Sequence, residues 1–314
     1  MTRNMGWDVV VVGSANTDFM IRGAKLPSPG ETLQGEDYHE GTGGKGANQA
    51  VAASRLGART AFFARVGRDR RGEELAARLT AEGVDLRHMA HDSAAPTGAA
   101  VIMVDHHGEK AILVAPGANG RMSAADVDAA AGMIQSARVV LCQLEIPLET
   151  VLTACRLARA SGARVVLDPA PARPLSDELL RLLDVIRPNS SEAETLTGIK
   201  VRDRASARKA AAQLLGRGAG AVAVQAGDEG NLLVWSGGEC WMPKIPVHSI
   251  DATGAGDAFA AGLAVMLAEG RPLNEAGPFA NAAAALATTV VGAQAGLPRR
   301  DAVLKLLGET ANAK

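Results

Sequence analysis

The feature that most constrains this chain is a repeated unit: a short apolar run that stops on polar residues, followed by a helix-length segment. Residues 7–12 form such a run, closed by Gly13, and 60–66, 139–144, 164–168, 185–188 and 221–225 follow. Segments 72–82, 124–135, 148–160, 177–183, 205–217, 274–291 and 301–307 have the length and patterning of helices. Runs this short and this apolar suit strands buried on both faces. The pattern therefore predicts an α/β fold with a mainly parallel central sheet and helices on both faces. Its core must be built from Ala, Val and Leu, because 47% of residues are hydrophobic but only 3% aromatic. No repeat, low-complexity tract or linker divides the 314 residues, so one domain over 1–314 is expected.

Charge excludes some partners. Lys+Arg (33) nearly balance Asp+Glu (34), a net charge of -1, which offers no footprint for nucleic acid or an anionic membrane. Cys142, Cys155 and Cys240 form no C-x-x-C pair and read as reduced thiols. The apolar run near the N-terminus is too short for a secretory leader, and no run reaches the length of a membrane span. A cytoplasmic location is the expectation.

In a parallel sheet, ligands bind outside the carboxyl ends of the strands. Here those ends carry Asn16 and Asp18, Glu145, Asp168, Asn189 with Glu192, and the loop Gln225-Ala226-Gly227-Asp228-Glu229-Gly230. Asn16 and Asp18 share a face in extended chain and could grip adjacent sugar hydroxyls; an Asx turn is the plainer reading. Asn189 and Glu192 could cap a helix or hold hydrated Mg²⁺ beside a phosphate. Two segments, roughly 14–42 and 96–116, have strand and turn signals apart from the main pattern. They suggest a small antiparallel sheet, either a lid over the site or an edge extension.

Two glycine-rich stretches carry most of the chemistry. Gly41-Thr-Gly-Gly-Lys-Gly-Ala-Asn-Gln-Ala50 matches G-x-G-x-x-G in letters, but no buried strand precedes it, which argues against a dinucleotide site. A phosphate-binding P-loop fails as well, because His39 stands where its first glycine belongs and Gly46 follows Lys45. Lys45 and Asn48 lie one turn apart at a helix start and can face one ligand. The second stretch, Asp251-Ala-Thr-Gly-Ala-Gly-Asp257, leads into an Ala-rich helix. Glycines there leave N–H donors open to an anion, and a carboxylate beside them suits a base that deprotonates whatever attacks a phosphate. The plainer alternative is a helix cap.

Together these stretches resemble the two signatures of the ribokinase/PfkB family of carbohydrate kinases. The resemblance runs from Gly13-Ser-Ala-Asn-Thr-Asp18 through Asn189 and Glu192 to Gly292-Ala-Gln294. It implies a ribokinase-like fold with a small β-sheet lid, and ATP-dependent phosphorylation of a sugar, D-ribose at its 5-hydroxyl. By resemblance Asp257 is the base, and the N–H groups of Gly254, Ala255 and Gly256 form the anion hole. Asn16, Asp18, Gly44, Lys45, Asn48 and Glu145 would hold the sugar. Asn189, Gln225–Gly230, Gly256 and Asn281 would line the ATP site, and Asn189 with Glu192 would stand near Mg²⁺. Asp251 and Thr253, with backbone from Ala287, Val290 and Gly292, would hold an activating K⁺. A homodimer through the lid is also implied. Two departures stand out: Gln225-Ala226 in the nucleotide loop, and Gly296 where a serine is usual beside K⁺. Alternatives in reserve are another pentose or a nucleoside as substrate, a non-catalytic sugar sensor, and a dehydrogenase. The scarcity of aromatics (five Phe, three Trp, one Tyr) argues against a nucleoside.

Overall fold

A computed structural model describes residues 6–312; residues 1–5 and 313–314 of the expected 1–314 unit lie outside the described residues. The strands are β1 (Trp7–Val12), β2 (Asn16–Arg22), β3 (Asp37–Gly43), β4 (Thr60–Phe63), β5 (Arg65–Gly67), β6 (Ala90–Asp92), β7 (Gly98–Val104), β8 (Lys110–Ala115), β9 (Ala137–Cys142), β10 (Arg164–Leu167), β11 (Val185–Ile186), β12 (Ala221–Gln225), β13 (Gly230–Trp235) and β14 (Gly238–Pro243). The helices are α1 (Lys45–Arg55), α2 (Arg70–Ala81), α3 (Ala124–Ala129), α4 (Ala131–Gln135), α5 (Leu148–Ala160), α6 (Asp177–Leu182), α7 (Ser190–Thr197), α8 (Arg204–Gly216), α9 (Ala255–Ala268), α10 (Leu273–Ala287) and α11 (Arg300–Asn312).

The central sheet has eight strands in the order β14-β13-β12-β11-β10-β9-β1-β4. From β12 to β4 every pairing is parallel, and β13 and β14 extend one edge antiparallel. Side chains alternate between two cores. Val9, Val11, Val139, Leu141 and Val166 join one apolar cluster with α1, α9 and α10. Val10, Val12, Val140, Cys142, Val165 and Leu167 join the other with α5 and α8. Both faces are covered, which is why these strands read as unbroken apolar runs.

A second sheet, ordered β3-β2-β7-β8, comes from the segments expected to stand apart. Its strands are mixed, because β2 pairs parallel with β7 while the outer pairs are antiparallel. Asn16 and Asp18 belong to this sheet, on β2, and not to the end of β1.

Several boundaries differ from expectation. The run at 60–66 is two strands, since Ala64 separates β4 of the central sheet from β5, which pairs with β6 in a small ribbon. The helix over 124–135 breaks at Ala130 into α3 and α4. Residues 288–291 leave α10 and turn, where the Thr288 and Thr289 hydroxyls bond back to the carbonyls of Ala285 and Leu286. Helix α9 is buried from Asp257 to Ala268, as a helix apolar on every side must be.

Candidate active site

A cleft of about 720 Å³ runs past the carboxyl ends of the central strands and is bordered by one face of the second sheet. It gathers Asn16, Asp18, Gly44, Lys45, Asn48 and Glu145 with Asn189, Glu192, Gln225, Gly227, Asp228, Gly230 and Asn281. Thr253, Gly254, Ala255, Gly256 and Asp257 also line it. Not every expected residue does. Ala226 is fully buried in the apolar core, and the Glu229 carboxylate turns aside to accept the Arg204 N–H at 3.1 Å. Asp251, Ala287, Val290 and Gly292 lie outside the cleft lining.

Asp257 stands in the first turn of α9 with 5% of its surface exposed. Its Oδ2 accepts from Asn48 Nδ2 and its Oδ1 from Gln49 Nε2, each at 3.0 Å. Gln49 Nε2 also donates to Asp168 Oδ2 at 2.9 Å, while the Gln49 carbonyl accepts from Gln143 Nε2 at 2.5 Å. A relay of buried amides thus fixes the plane of the Asp257 carboxylate. Burial pushes the Asp168 carboxyl up to about 7, with Lys45 and Arg187 opposing and Glu192 and Asp257 adding. Sequence reasoning assigns no role to Gln49, Gln143 or Asp168. Polar residues amid the small apolar ones of α1 are the signal that could have found Gln49.

The turn before α9 is set by Gly254, whose φ of +84° falls where L side chains rarely go. The N–H groups of Gly254, Gly256 and Asp257 have no acceptor among the described residues. That of Ala255 donates to the Ala252 carbonyl at 3.2 Å, so one of the three amides expected in the anion hole is already engaged. A helix start with open donors draws anions.

On the other side of Asp257, close packing holds a polar set. Asn119, from a short turn after β8, donates to Asn16 Oδ1 at 2.8 Å and exchanges hydrogen bonds with the Ala15 backbone. It too escapes sequence reasoning, because its partners are about a hundred residues away. Gly43 must lack a side chain, since a Cβ there would lie 2.0 Å from Asp18 Oδ2. Burial, then the charges of Glu145 and Asp257, raise the Asp18 carboxyl to about 7. Glu145 Oε2 accepts from Ser14 Oγ at 2.5 Å and from the Lys45 N–H at 3.1 Å. For the Lys45 ammonium, burial pulls its pKa down, but Asp168, Asp257, Glu145 and Glu192 outweigh it and hold the pKa above the ordinary lysine value.

Asn189 and Glu192 form a capping box on α7. Asn189 Oδ1 accepts the Glu192 N–H at 2.8 Å, and Glu192 Oε2 accepts the Asn189 N–H at 2.8 Å. The cap and the cleft use the same two residues. Asn281 is likewise braced, accepting from Asn231 Nδ2 at 2.9 Å and donating to the Pro243 carbonyl at 3.0 Å. Among the described residues no group of three or more His, Cys, Asp and Glu could cage a metal. A divalent ion here would depend on phosphate oxygens and water, with Glu192 alongside.

Of the three backbone carbonyls expected to hold K⁺, that of Gly292 accepts the Gly296 N–H at 3.1 Å, and those of Ala287 and Val290 are open. The carbonyl oxygens of Ala287 and Val290 lie 2.3 and 3.3 Å from where a Cβ on Gly296 would be, and neither accepts a hydrogen bond among the described residues. Asp251 is more heavily used. Its Oδ2 accepts the Gly292 N–H at 3.0 Å, and its Oδ1 accepts from the Thr253 N–H, Thr253 Oγ1 and Lys110 Nζ. Burial pushes its pKa up, yet these donors prevail and hold it below the usual carboxylate range. Lys110 comes from β8 of the second sheet and sits 2.8 Å from both Asp251 Oδ1 and Thr253 Oγ1.

A carboxylate held by amides beside the open N–H donors of its own helix start, in a polar cleft of a layered α/β fold, defines a phosphoryl-transfer enzyme that acts on a hydroxyl. The sequence profile of pfkB family carbohydrate kinases matches residues 7–300, and the chain belongs to that family. It is 42% identical to the ribokinase of Haemophilus influenzae over 95% of this chain and 98% of that one. The ribokinase of Bacillus subtilis is 37% identical, covering 96% and 99%. Among solved structures, Arabidopsis thaliana ribokinase complexed with ribose and ATP superposes with a TM-score of 0.88 at 35% identity, over 95% of this chain and 98% of that one.

Proposed function

We propose that this chain transfers the γ-phosphoryl group of ATP to the 5-hydroxyl of D-ribose. The observation that carries the reading is Asp257, fixed by Asn48 and Gln49 at the helix start where the Gly254 and Gly256 N–H groups are free. Asn16, Asp18, Asn48, Glu145 and Lys45, with the Gly44 backbone, hold the sugar hydroxyls. The hydroxyl oxygen attacks the γ-phosphorus as its proton passes to Asp257. The bond from that phosphorus to the β–γ bridging oxygen breaks, and its electron pair leaves with ADP. Because the transition state is loose, alignment and neutralisation of charge contribute most of the rate. Asn189, Gln225, Gly227, Asp228, Gly230 and Asn281 border the nucleotide, and backbone of Ala226 and Glu229 shapes its loop. Asn189 and Glu192 would stand beside Mg²⁺, which would neutralise phosphate charge as a hard ion that keeps several waters. K⁺ would sit among the carbonyls of Ala287, Val290 and Gly292 with Asp251 and Thr253, and supply fixed positive charge behind the anion hole. The second sheet acts as the lid over the sugar and as the contact of a homodimer, and the enzyme works in the cytoplasm.

A coupled ADP-release assay with ATP and Mg²⁺ across ribose, deoxyribose, fructose and adenosine tests the reading. Ribose should turn over fastest, and Asp257→Asn should lower its kcat about 10³-fold or more. Turnover of adenosine but not ribose would keep the mechanism and overturn the substrate. Sugar binding without turnover would leave a sensor.

A further inference from the structure

Arg187 is a residue for which the sequence offers no role and the described residues offer no hydrogen-bond acceptor or ion-pair partner. It follows β11 and precedes Pro188 and Asn189. Only 8% of it is exposed, yet it lines the cleft. Its guanidinium lies 5.1 Å over the Phe259 ring of α9. Among the described residues its side chain makes no hydrogen bond and no ion pair, and its Nε is buried and unsatisfied. A guanidinium stays charged at any pH a protein tolerates, and burying such a charge unpaired is costly. Other half-buried arginines here have ionic partners even where one nitrogen is left over: Arg55 binds Glu82 and the carbonyls of Gln294 and Leu297, and Arg204, whose Nε is also unsatisfied, pairs through Nη2 with Glu239.

The place of the free donors says what they await. Arg187 Nη1 is 2.8 Å from where a Cβ on Gly256 would be, so the guanidinium lies directly against the backbone whose N–H is open. Glycine at 256 is what leaves room for it. A planar fork of donors beside a helix N-terminus matches a phosphate group's oxygens. We propose that Arg187 is a catalytic residue of this kinase: its guanidinium binds the non-bridging oxygens of the phosphoryl group in flight and stabilises the negative charge that gathers there as the bond to ADP breaks.

The proposal rests on the kinase reading above. Arg187 gives and takes no proton; the sugar's proton goes to Asp257 and the electron pair to ADP. The π face of Phe259 and the more distant Asp168 carboxylate steady the cation while the cleft is open.

The test compares wild type with Arg187→Gln and Arg187→Lys, measuring ribose kinetics, binding of ADP with aluminium fluoride by calorimetry, and melting temperature without ligands. Arg187→Gln should lower kcat about 100-fold or more with the ribose KM within about twofold. It should weaken ADP–aluminium fluoride binding by a similar factor, and added methylguanidine should restore part of the rate. Arg187→Lys should fall between the two. Melting should not decline in the unliganded variants, because an unpaired buried charge has been removed or made more compact. A kcat within threefold of wild type, or unchanged ADP–aluminium fluoride binding, overturns the assignment, and so does a large loss of melting temperature with normal kinetics. A wild type that binds ADP–aluminium fluoride but phosphorylates no sugar overturns the kinase reading instead, and the binding comparison then still decides on Arg187.

Discussion

Asp18 is where the site's electrostatics should be visible in solution. Its carboxyl is raised to about 7 because burial and the neighbouring Glu145 and Asp257 charges all disfavour a further negative charge. The folded pKa exceeds the unfolded one, so the folded state holds the proton more tightly. Stability from this group is therefore full near pH 4 and is lost as pH rises toward and through 7. Asp18→Asn should melt with wild type near pH 4 and progressively above it by pH 8. Affinity runs the other way, since the ionised carboxylate accepts two hydroxyls and the protonated one gives up an acceptor. The ribose KM of wild type should rise as pH falls from 8 to 6, and the inflection should vanish in Asp18→Asn. A KM flat over that range would refute the sugar contact. At this scale the sequence exposes residues whose chemistry stands in a short pattern: Asp257 behind its glycines, Lys45 and Asn48 one turn apart. It hides those that act through distant partners. Nothing local to Asn119, Gln143 or Arg187 says that folding brings each against residues tens to more than a hundred positions away.

Elements were legible where burial is symmetrical. The central strands are apolar on both faces, and so is α9, so their runs are unbroken and easy to read. Boundaries were harder. Ala64 and Ala130 carry no breaker chemistry, yet sheet switching and a helix break fall on them, because tertiary pairing and not local propensity decides there. The contact between β8 and the 251–257 loop is of the same kind. Lys110 bridges two elements by binding Asp251 Oδ1 and Thr253 Oγ1, the two side chains that the proposed K⁺ site would also use. Two cations sharing one carboxylate repel each other. Lys110→Met should therefore lower activity in potassium-free buffer and steepen its rise as KCl is added, measured against N-methylglucamine chloride at equal ionic strength. Equal potassium dependence in the two proteins would mean that Lys110 and the cation are independent.

Among the described residues, the second sheet presents an apolar edge that nothing covers. Strand β8 is one edge of the second sheet, with Ile112 at 59%, Leu113 at 75% and Val114 at 44% exposure. In its pairing with β7, Ile112 and Val114 lie opposite Ile102 and Ala100, which line the cleft, while Leu113 lies opposite Val101 and points to the other face. An apolar edge strand exposed on both faces invites association unless it is protected. A second copy of the same sheet would cover it and, in the same step, close the side of the cleft lined by Ala100, Ile102, Ile112 and Val114, beside the proposed sugar site. Assembly and substrate binding would then share a surface. Light scattering behind size exclusion should give twice the chain mass of 32.2 kDa at micromolar concentration. Leu113→Asp, which faces away from the cleft, should shift the species to monomer and raise the ribose KM severalfold while leaving ATP affinity unchanged. If the variant is monomeric with an unaltered ribose KM, the sheet is a dimer contact but not a lid completed by its partner. If wild type is itself a monomer, the exposed edge requires another cover, and the coupling of assembly to sugar binding falls with it.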